Sequence, residues 1–311
     1  MQQLYRIEYT AHTSGWTSEN LAAAAQSYRM IGDLVQASVY YERALSLDAG
    51  WVGRASAMQS LAEIYLERAD WARAFDVLQS LSTAAPSPWV FFQLGLIAAP
   101  VDPAAAVRYL EQADDPVYLR LLAELHPALT DEQASPLPVG IILLNRDLLP
   151  YAEHAFAIAA ESATDTETTA LALAYGALAR DRQGKPGADW MARAVALSPN
   201  AFMVRYLQGL HLRHIGDDRA SLNALIAAAA LNPQDPALFA ELGTAYRLVG
   251  DMTSAERWLR EAVRLSNNDS RFVGLLTEFQ TAQRSDLQAY FERVLPSEVA
   301  IPDAYGYRAP R

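Results

Sequence analysis

The chain has no cysteine among its 311 residues. That excludes a disulfide framework and any zinc site built on thiolates. It has a single lysine, Lys185, so its remaining positive side chains are arginine and, when protonated, histidine. Glycine and proline are scarce, at 15 and 16 residues, and half of the chain is apolar. Such a composition supplies a packed core rather than a disordered segment. No apolar run approaches the roughly 18 residues that a membrane span requires. The longest, Ala224 to Leu231, ends at Asn232-Pro233. Positive charge is also short: the formal net charge is −11. An acidic chain is a poor match for phosphate backbones and anionic lipid, so no nucleic-acid and no membrane partner is expected. The opening stretch MQQLYRIEYTAHTSG has no long apolar core and no small-residue cleavage site. A cytoplasmic protein without a signal peptide is the expectation.

What is present is periodic. Ala237 to Asn268 reads ALFAELGTAYRLVGDMTSAERWLREAVRLSNN. Phe239, Leu242, Tyr246 and Val249 recur at helical offsets of three and four. Gly250-Asp251 breaks the run, because glycine tolerates the left-handed conformation that ends a helix. A second helical pattern follows, with Ala255, Leu259, Ala262 and Val263 on its inner side. Two short helices cannot hide their apolar faces alone, so neighbours of the same kind are required.

The sequence supplies them at one constant interval. The small residue at Ala255 steps back to Ser221 and Gly187, and forward to Ala289. By the same step Gly243 goes back to Gly209, and Ala262 to Ala228 and Ala194. Gly216-Asp217 repeats the turn of Gly250-Asp251, and Pro233 and Pro199 close their units. Leu242-Gly243, Tyr246, Gly250-Asp251, Ala255, Leu259 and Ala262 resemble the tetratricopeptide repeat (TPR), a helix–turn–helix unit of about 34 residues. Phe239 stands where that family usually has tryptophan, and Asn267 where it usually has proline. The resemblance implies an all-α fold: a right-handed α-solenoid of about seven to eight repeats.

In chain order, residues 1–16 read as a lead-in, with Leu4, Ile7 and Tyr9 as its apolar positions. A first block of about three repeats occupies 17–113. Its first helix is capped by Thr17 or Ser18, and Ala69-Asp70 replaces the glycine of the second turn. The period then breaks. Ala106 to Ala152 is about twelve residues longer than one repeat. The segment 114–135 therefore reads as an irregular helix and loop, either an insert or a seam. Its helix is expected over Val117 to Leu125, stopped at His126-Pro127, with a polar loop holding Pro136 and Pro138 after it. A second block of about four repeats spans 136–269. Residues 270–295 read as a degenerate capping pair that keeps Leu276 and Ala289, and 296–311 as a tail.

Catalytic signatures are missing. There is no HExxH, no GxSxG and no GxxxxGK, and Gly184 to Gly187 lacks the residues of a phosphate loop. His211 and His214, three apart on one helix, are two of the three or four ligands a metal needs. Asp217 and Asp218 lie past the end of that helix. Surface or groove histidines are the plainer reading, and His12, His126 and His154 stand alone. Glu63, Glu67, Glu241 and Glu261 read as solvated helix faces. No cofactor and no metal is expected, and repeats over nearly all of 17–295 leave no separate catalytic domain.

The resemblance places a partner-binding surface on the first helices of successive repeats. Tyr206, Arg213 and His214 hold its slots in one repeat, and Thr244 and Arg247 in the next. Arg213 and Arg247 share a slot one repeat apart, and Arg29 holds it in the first repeat. Arginine there either grips a partner's carboxylate or pairs with an acid of the neighbouring repeat. Trp89 and Phe92 carry the same face in the third repeat, either as partner anchors or as core. The lysine–asparagine clamp by which some TPR proteins hold chaperone tails is absent: Tyr206 and Leu210, or Ala240 and Thr244, occupy those positions. The leading expectation is a non-enzymatic scaffold for a protein or peptide. The alternatives are a regulatory or substrate-recognition subunit of an enzyme complex and, disfavoured by charge, an RNA-binding helical repeat.

Overall fold

The computed structural model describes residues 15–131 and 134–294. The lead-in positions Leu4, Ile7 and Tyr9, His12 and the tail 296–311 lie outside them. The described residues form sixteen helices joined by turns and contain no strand. Contact density divides the chain into two units, 1–162 and 163–311.

The first unit contains α1 (Ser18–Met30), α2 (Leu34–Leu47), α3 (Arg54–Glu67), α4 (Trp71–Ala84), α5 (Pro88–Ala98) and α6 (Pro103–Gln112). It continues through α7 (Pro116–Thr130), α8 (Pro136–Asn145) and α9 (Leu149–Ser162). The second contains α10 (Thr166–Arg182), α11 (Ala188–Leu197), α12 (Phe202–His214) and α13 (Asp218–Leu231). It ends with α14 (Pro236–Leu248), α15 (Met252–Leu265) and α16 (Ser270–Val294). Fourteen of these helices pair into seven antiparallel hairpins; α7 and α16 stand outside the pairing.

One turn joins most hairpins, and two adjacent residues make it. Gly32, Gly216 and Gly250 have φ of 82°, 83° and 88°. The amide that follows each reaches back to close the helix: Asp33 N to Tyr28 O at 3.0 Å, and Asp251 N to Tyr246 O at 2.9 Å. The same aspartate then caps the next helix through its carboxylate, Asp33 on Gln36 N and Asp251 on Ser254 N. Glycine ends one helix and aspartate starts the next, so two residues reverse the chain. Ala69 takes the glycine position with φ of 54° and Asp147 does so with 60°. Thr17 caps α1 with the reciprocal Asn20 bond of a capping box. Prolines open α5, α6, α7, α8 and α14, where the missing amide costs nothing.

Within a hairpin the helices cross at the small residues. A Cβ on Gly243 would lie 2.6 Å from Leu259 Cγ, and one on Gly209 would lie 2.5 Å from Leu225 Cγ. Gly95 faces Leu110 and Gly140 faces Phe156 in the same way. Each glycine admits a large side chain from the second helix against bare backbone. The partners Leu110, Phe156 and Leu225 are fully buried. Ser221 keeps its hydroxyl in this crossing by donating it to Gly209 O at 2.7 Å.

Three local expectations are corrected. The helix after Asp115 does not stop at His126-Pro127; α7 runs on to Thr130 with Pro127 inside it. Proline there forfeits one bond to the carbonyl four residues back. Leu125 and Leu129, both buried, hold the turn on either side. Pro136 and Pro138 do not lie in a loop: Pro136 is the first residue of α8 and Pro138 is in its first turn. Residues 270–294 form one continuous helix, α16, because no Gly-Asp turn interrupts them. The break in period at 114–135 and the division between Ser162 and Ala163 are separate features. The odd helix α7 still packs against both α6 and α8, and Arg146, the C-cap of α8, forms an ion pair with Glu124 of α7.

Candidate functional site

In the second unit, α10, α12 and α14 are the first helices of successive hairpins, and α10 packs on α12. Tyr206 of α12 is half-buried. Its phenol is pushed above its ordinary range, first by burial and then by the carboxylates of Glu241 and Asp235, with Arg213 opposing. Arg213 donates through Nη1 to Glu241 Oε2 on α14. Thr244, one turn beyond Ala240, returns its hydroxyl to Ala240 O at 3.1 Å. One turn further, Arg247 is exposed, and no ion pair holds it among the described residues. His214 is exposed at the end of α12. The structure thus gathers Tyr206, Arg213 and Glu241 into one polar cluster, with Thr244 and Arg247 continuing along α14.

The arginine slot has a rule. Arg29 of α1 reaches Glu63 of α3 at 2.7 Å, one repeat further along the chain. Arg213 of α12 reaches Glu241 of α14, six positions short of a full repeat. In each case the acid lies on the first helix of the next hairpin. The two positions at those distances from Arg247 are Leu275 and Thr281, on α16. Neither carries charge, and among the described residues Arg247 forms no ion pair.

His211 and His214 part company. His211 is buried, its Nδ1 2.6 Å from Asp181 Oδ2, with the two side chains 4% and 3% exposed. It is an internal tie between α10 and α12, not the surface or groove residue the sequence suggested. Among the described residues no group of three His, Asp or Glu could hold a metal.

In the first unit Trp89 is half-buried against the hydrophobic cluster of α1 to α5. Phe92 stacks on Tyr118 of α7, centroids 3.9 Å apart and planes inclined by 13°. The odd helix therefore covers that ring. Sequence reasoning missed a different cluster here. Tyr151 and His154 of α9 lie 5.3 and 4.7 Å from the indole of Trp71 on α4, and the Tyr151 hydroxyl donates to Gln93 of α5. Nearest-neighbour stacking, the basis of a repeat array, does not bring α9 to α4. No spacing in the sequence signals this contact; the only local hint is a tryptophan directly after the Asp70 cap.

Paired antiparallel helices, the Gly-Asp turn at Gly32, Gly216 and Gly250 and the small-residue crossing define an all-α helical-repeat protein of tetratricopeptide-like units. No protein-family model matches the chain, and no curated protein matches it. Solved structures do. A tetratricopeptide repeat protein from Parabacteroides merdae is similar over 85% of this chain and 98% of its own, at 13% identity and a TM-score of 0.42. The Cut9–Hcn1 hetero-tetramer of the APC/C is similar over 90% of this chain and 53% of its own, at 16% identity and a TM-score of 0.43. YrrB, described as a TPR protein with an unusual peptide-binding site, is similar over 86% of this chain and 96% of its own, at 14% identity and a TM-score of 0.30. No described helix is long and apolar enough to cross a membrane.

Proposed function

We propose that this protein is a non-enzymatic scaffold that holds a protein or peptide partner along the first helices of its repeats. In the second unit the contact residues are Tyr206, Arg213, His214, Thr244 and Arg247. The observation that carries the reading is Arg247: an exposed arginine in a slot whose two other arginines, Arg29 and Arg213, are each matched to an acid. An unmatched guanidinium suits a partner that presents a carboxylate, which arginine grips with two parallel bonds. Arg29, Trp89 and Phe92 hold the equivalent face in the first unit. All three already have neighbours: Arg29 pairs with Glu63, Trp89 packs on the hydrophobic cluster and Phe92 stacks on Tyr118.

The test is a pull-down that compares the wild-type chain with the Arg213→Glu/Arg247→Glu variant, its fold checked by circular dichroism. Loss of the captured partners supports the reading. An identical partner set from both proteins removes this face from the proposal. Turnover of a substrate by the purified chain alone would overturn the non-enzymatic assignment.

A further inference from the structure

The contact between α9 and α4 leaves a cavity of about 400 Å³ in the first unit. Its walls are Trp71 and Phe75 of α4, Ile97 of α5, Val101 of the following turn and Ala105 of α6, with His154 of α9 behind Trp71. A volume of this size is at the lower end of the range for ligand clefts. It sits on three second helices, the last turn of α5 and the turn that follows, and none of the first-helix contact residues named above lines it. Val101 is 66% exposed in the turn between α5 and α6, an apolar side chain presented to solvent at the cavity's edge.

The charge around the cavity has one sign. Asp76 is exposed and has no ion pair among the described residues. Asp102 spends one carboxylate oxygen on Ala105 N, at 2.9 Å, as the cap of α6. None of the lining residues is a lysine or an arginine. His154 adds no positive charge near neutrality, because burial lowers its pKa to about 4. The indole of Trp71 offers a cation the favourable face of an aromatic ring.

We infer that this cavity is a second partner-binding site, which takes an apolar side chain of a peptide segment with an arginine or lysine directly beside it. The apolar side chain enters between Trp71, Phe75 and Val101, and the neighbouring cation meets Asp76 and Asp102 at the mouth. The inference rests on the scaffold reading for the class of its partner, but on none of that reading's residues.

The experiment is fluorescence anisotropy with labelled synthetic peptides on the full chain. The probes are Gly-Ser peptides that carry a central Phe-Arg, Phe-Glu or Ala-Arg pair. Phe-Arg is expected to bind at least tenfold more tightly than either control. Asp76→Arg and Val101→Arg, both at exposed positions, are expected to reduce Phe-Arg binding at least tenfold. Equal binding of Phe-Arg and Phe-Glu, no binding of any probe, or binding unaffected by both substitutions would each overturn the inference. The Arg213→Glu/Arg247→Glu variant is expected to bind Phe-Arg as the wild type does, so this site and the first-helix site fail or stand separately.

Discussion

His154 lies against Trp71 with ring centroids 4.7 Å apart and planes inclined by 27°, although the two residues belong to helices separated by four others. The stack holds the imidazole neutral. Burial lowers its pKa from 6.5 to about 4, so between those values the unfolded chain takes up a proton that the folded chain refuses. Stability is therefore complete above about pH 6.5 and falls as the pH drops towards 4. At about 1.4 kcal/mol per pH unit, the loss between pH 7.5 and pH 5.5 is about 1 kcal/mol. His154→Phe keeps a ring on Trp71 and removes the titration. Urea midpoints measured at both pH values should converge for the variant and separate for the wild type.

The Gly-Asp turn allows a matched pair of substitutions. Gly250 has φ of 88° with nothing within 4 Å of the position a Cβ would take, so Gly250→Ala tests backbone strain alone. It should cost about 1 kcal/mol. Ala69 occupies the same place in the second hairpin with φ of 54° and is exposed. Ala69→Gly relieves that strain and should stabilise the chain by about 0.5 kcal/mol, less than the full relief because glycine loses more entropy on folding. Thermal melts of the two variants should shift in opposite directions.

The turns also explain which parts of the fold were legible in the sequence. Gly216-Asp217 and Gly250-Asp251 encode helix end, reversal and helix start within two residues, and Gly209 and Gly243 encode the crossing that follows. All of this is local and recurs once per repeat, so the hairpins could be placed from spacing alone. The helix through Pro127 was not legible, because the local rule for proline is outweighed by burial of Leu125 and Leu129. Nor was Tyr151 on Trp71, since a contact between residues more than two repeats apart leaves no trace in a repeat pattern. At the candidate site, the slot of Arg213 and Arg247 could be read, but not which acids are matched to it. Glu63 and Glu241 fall at different offsets from their arginines, 34 and 28 residues, so one repeat interval does not find both.

Asp181 and His211 make a sharper prediction in the second unit. Their hydrogen bond is 2.6 Å long and wholly buried, and it ties α10 to α12, the first helices of successive hairpins. Gly187 stands beside the carboxylate because a Cβ there would lie 2.6 Å from Asp181 Oδ1 and 2.5 Å from Ala177 O. Removing one partner leaves the other polar group buried and unsatisfied. Asp181→Leu should therefore cost about 3 kcal/mol. The double variant Asp181→Leu/His211→Leu removes both polar groups and should recover a measurable part of that loss. Denaturant unfolding of the two single variants and the double variant completes the cycle. Additive losses would show that the pair contributes no coupling.

The Gly243–Leu259 crossing decides whether the small-residue slots are required by packing or merely tolerated. Leu259 is 5% exposed, and its Cγ and Cδ2 lie 2.6 and 3.0 Å from the position of a Cβ on Gly243. The backbone carbonyl of Ala255 stands 3.1 Å from the same point. Leu259 can yield only by leaving its rotamer, and the carbonyl cannot yield without moving α15. Gly243→Ala should then cost about 1–3 kcal/mol, the usual range for overpacking. Leu259→Ala alone should cost about 2–5 kcal/mol through lost burial and the cavity it leaves. Combined, the new methyl group occupies part of the vacated space and no longer meets Leu259. The double variant should accordingly lose about 1 kcal/mol less than the two single losses together. A double-mutant cycle by urea unfolding measures that difference; strict additivity would mean that the glycine is not held in place by the leucine opposite it.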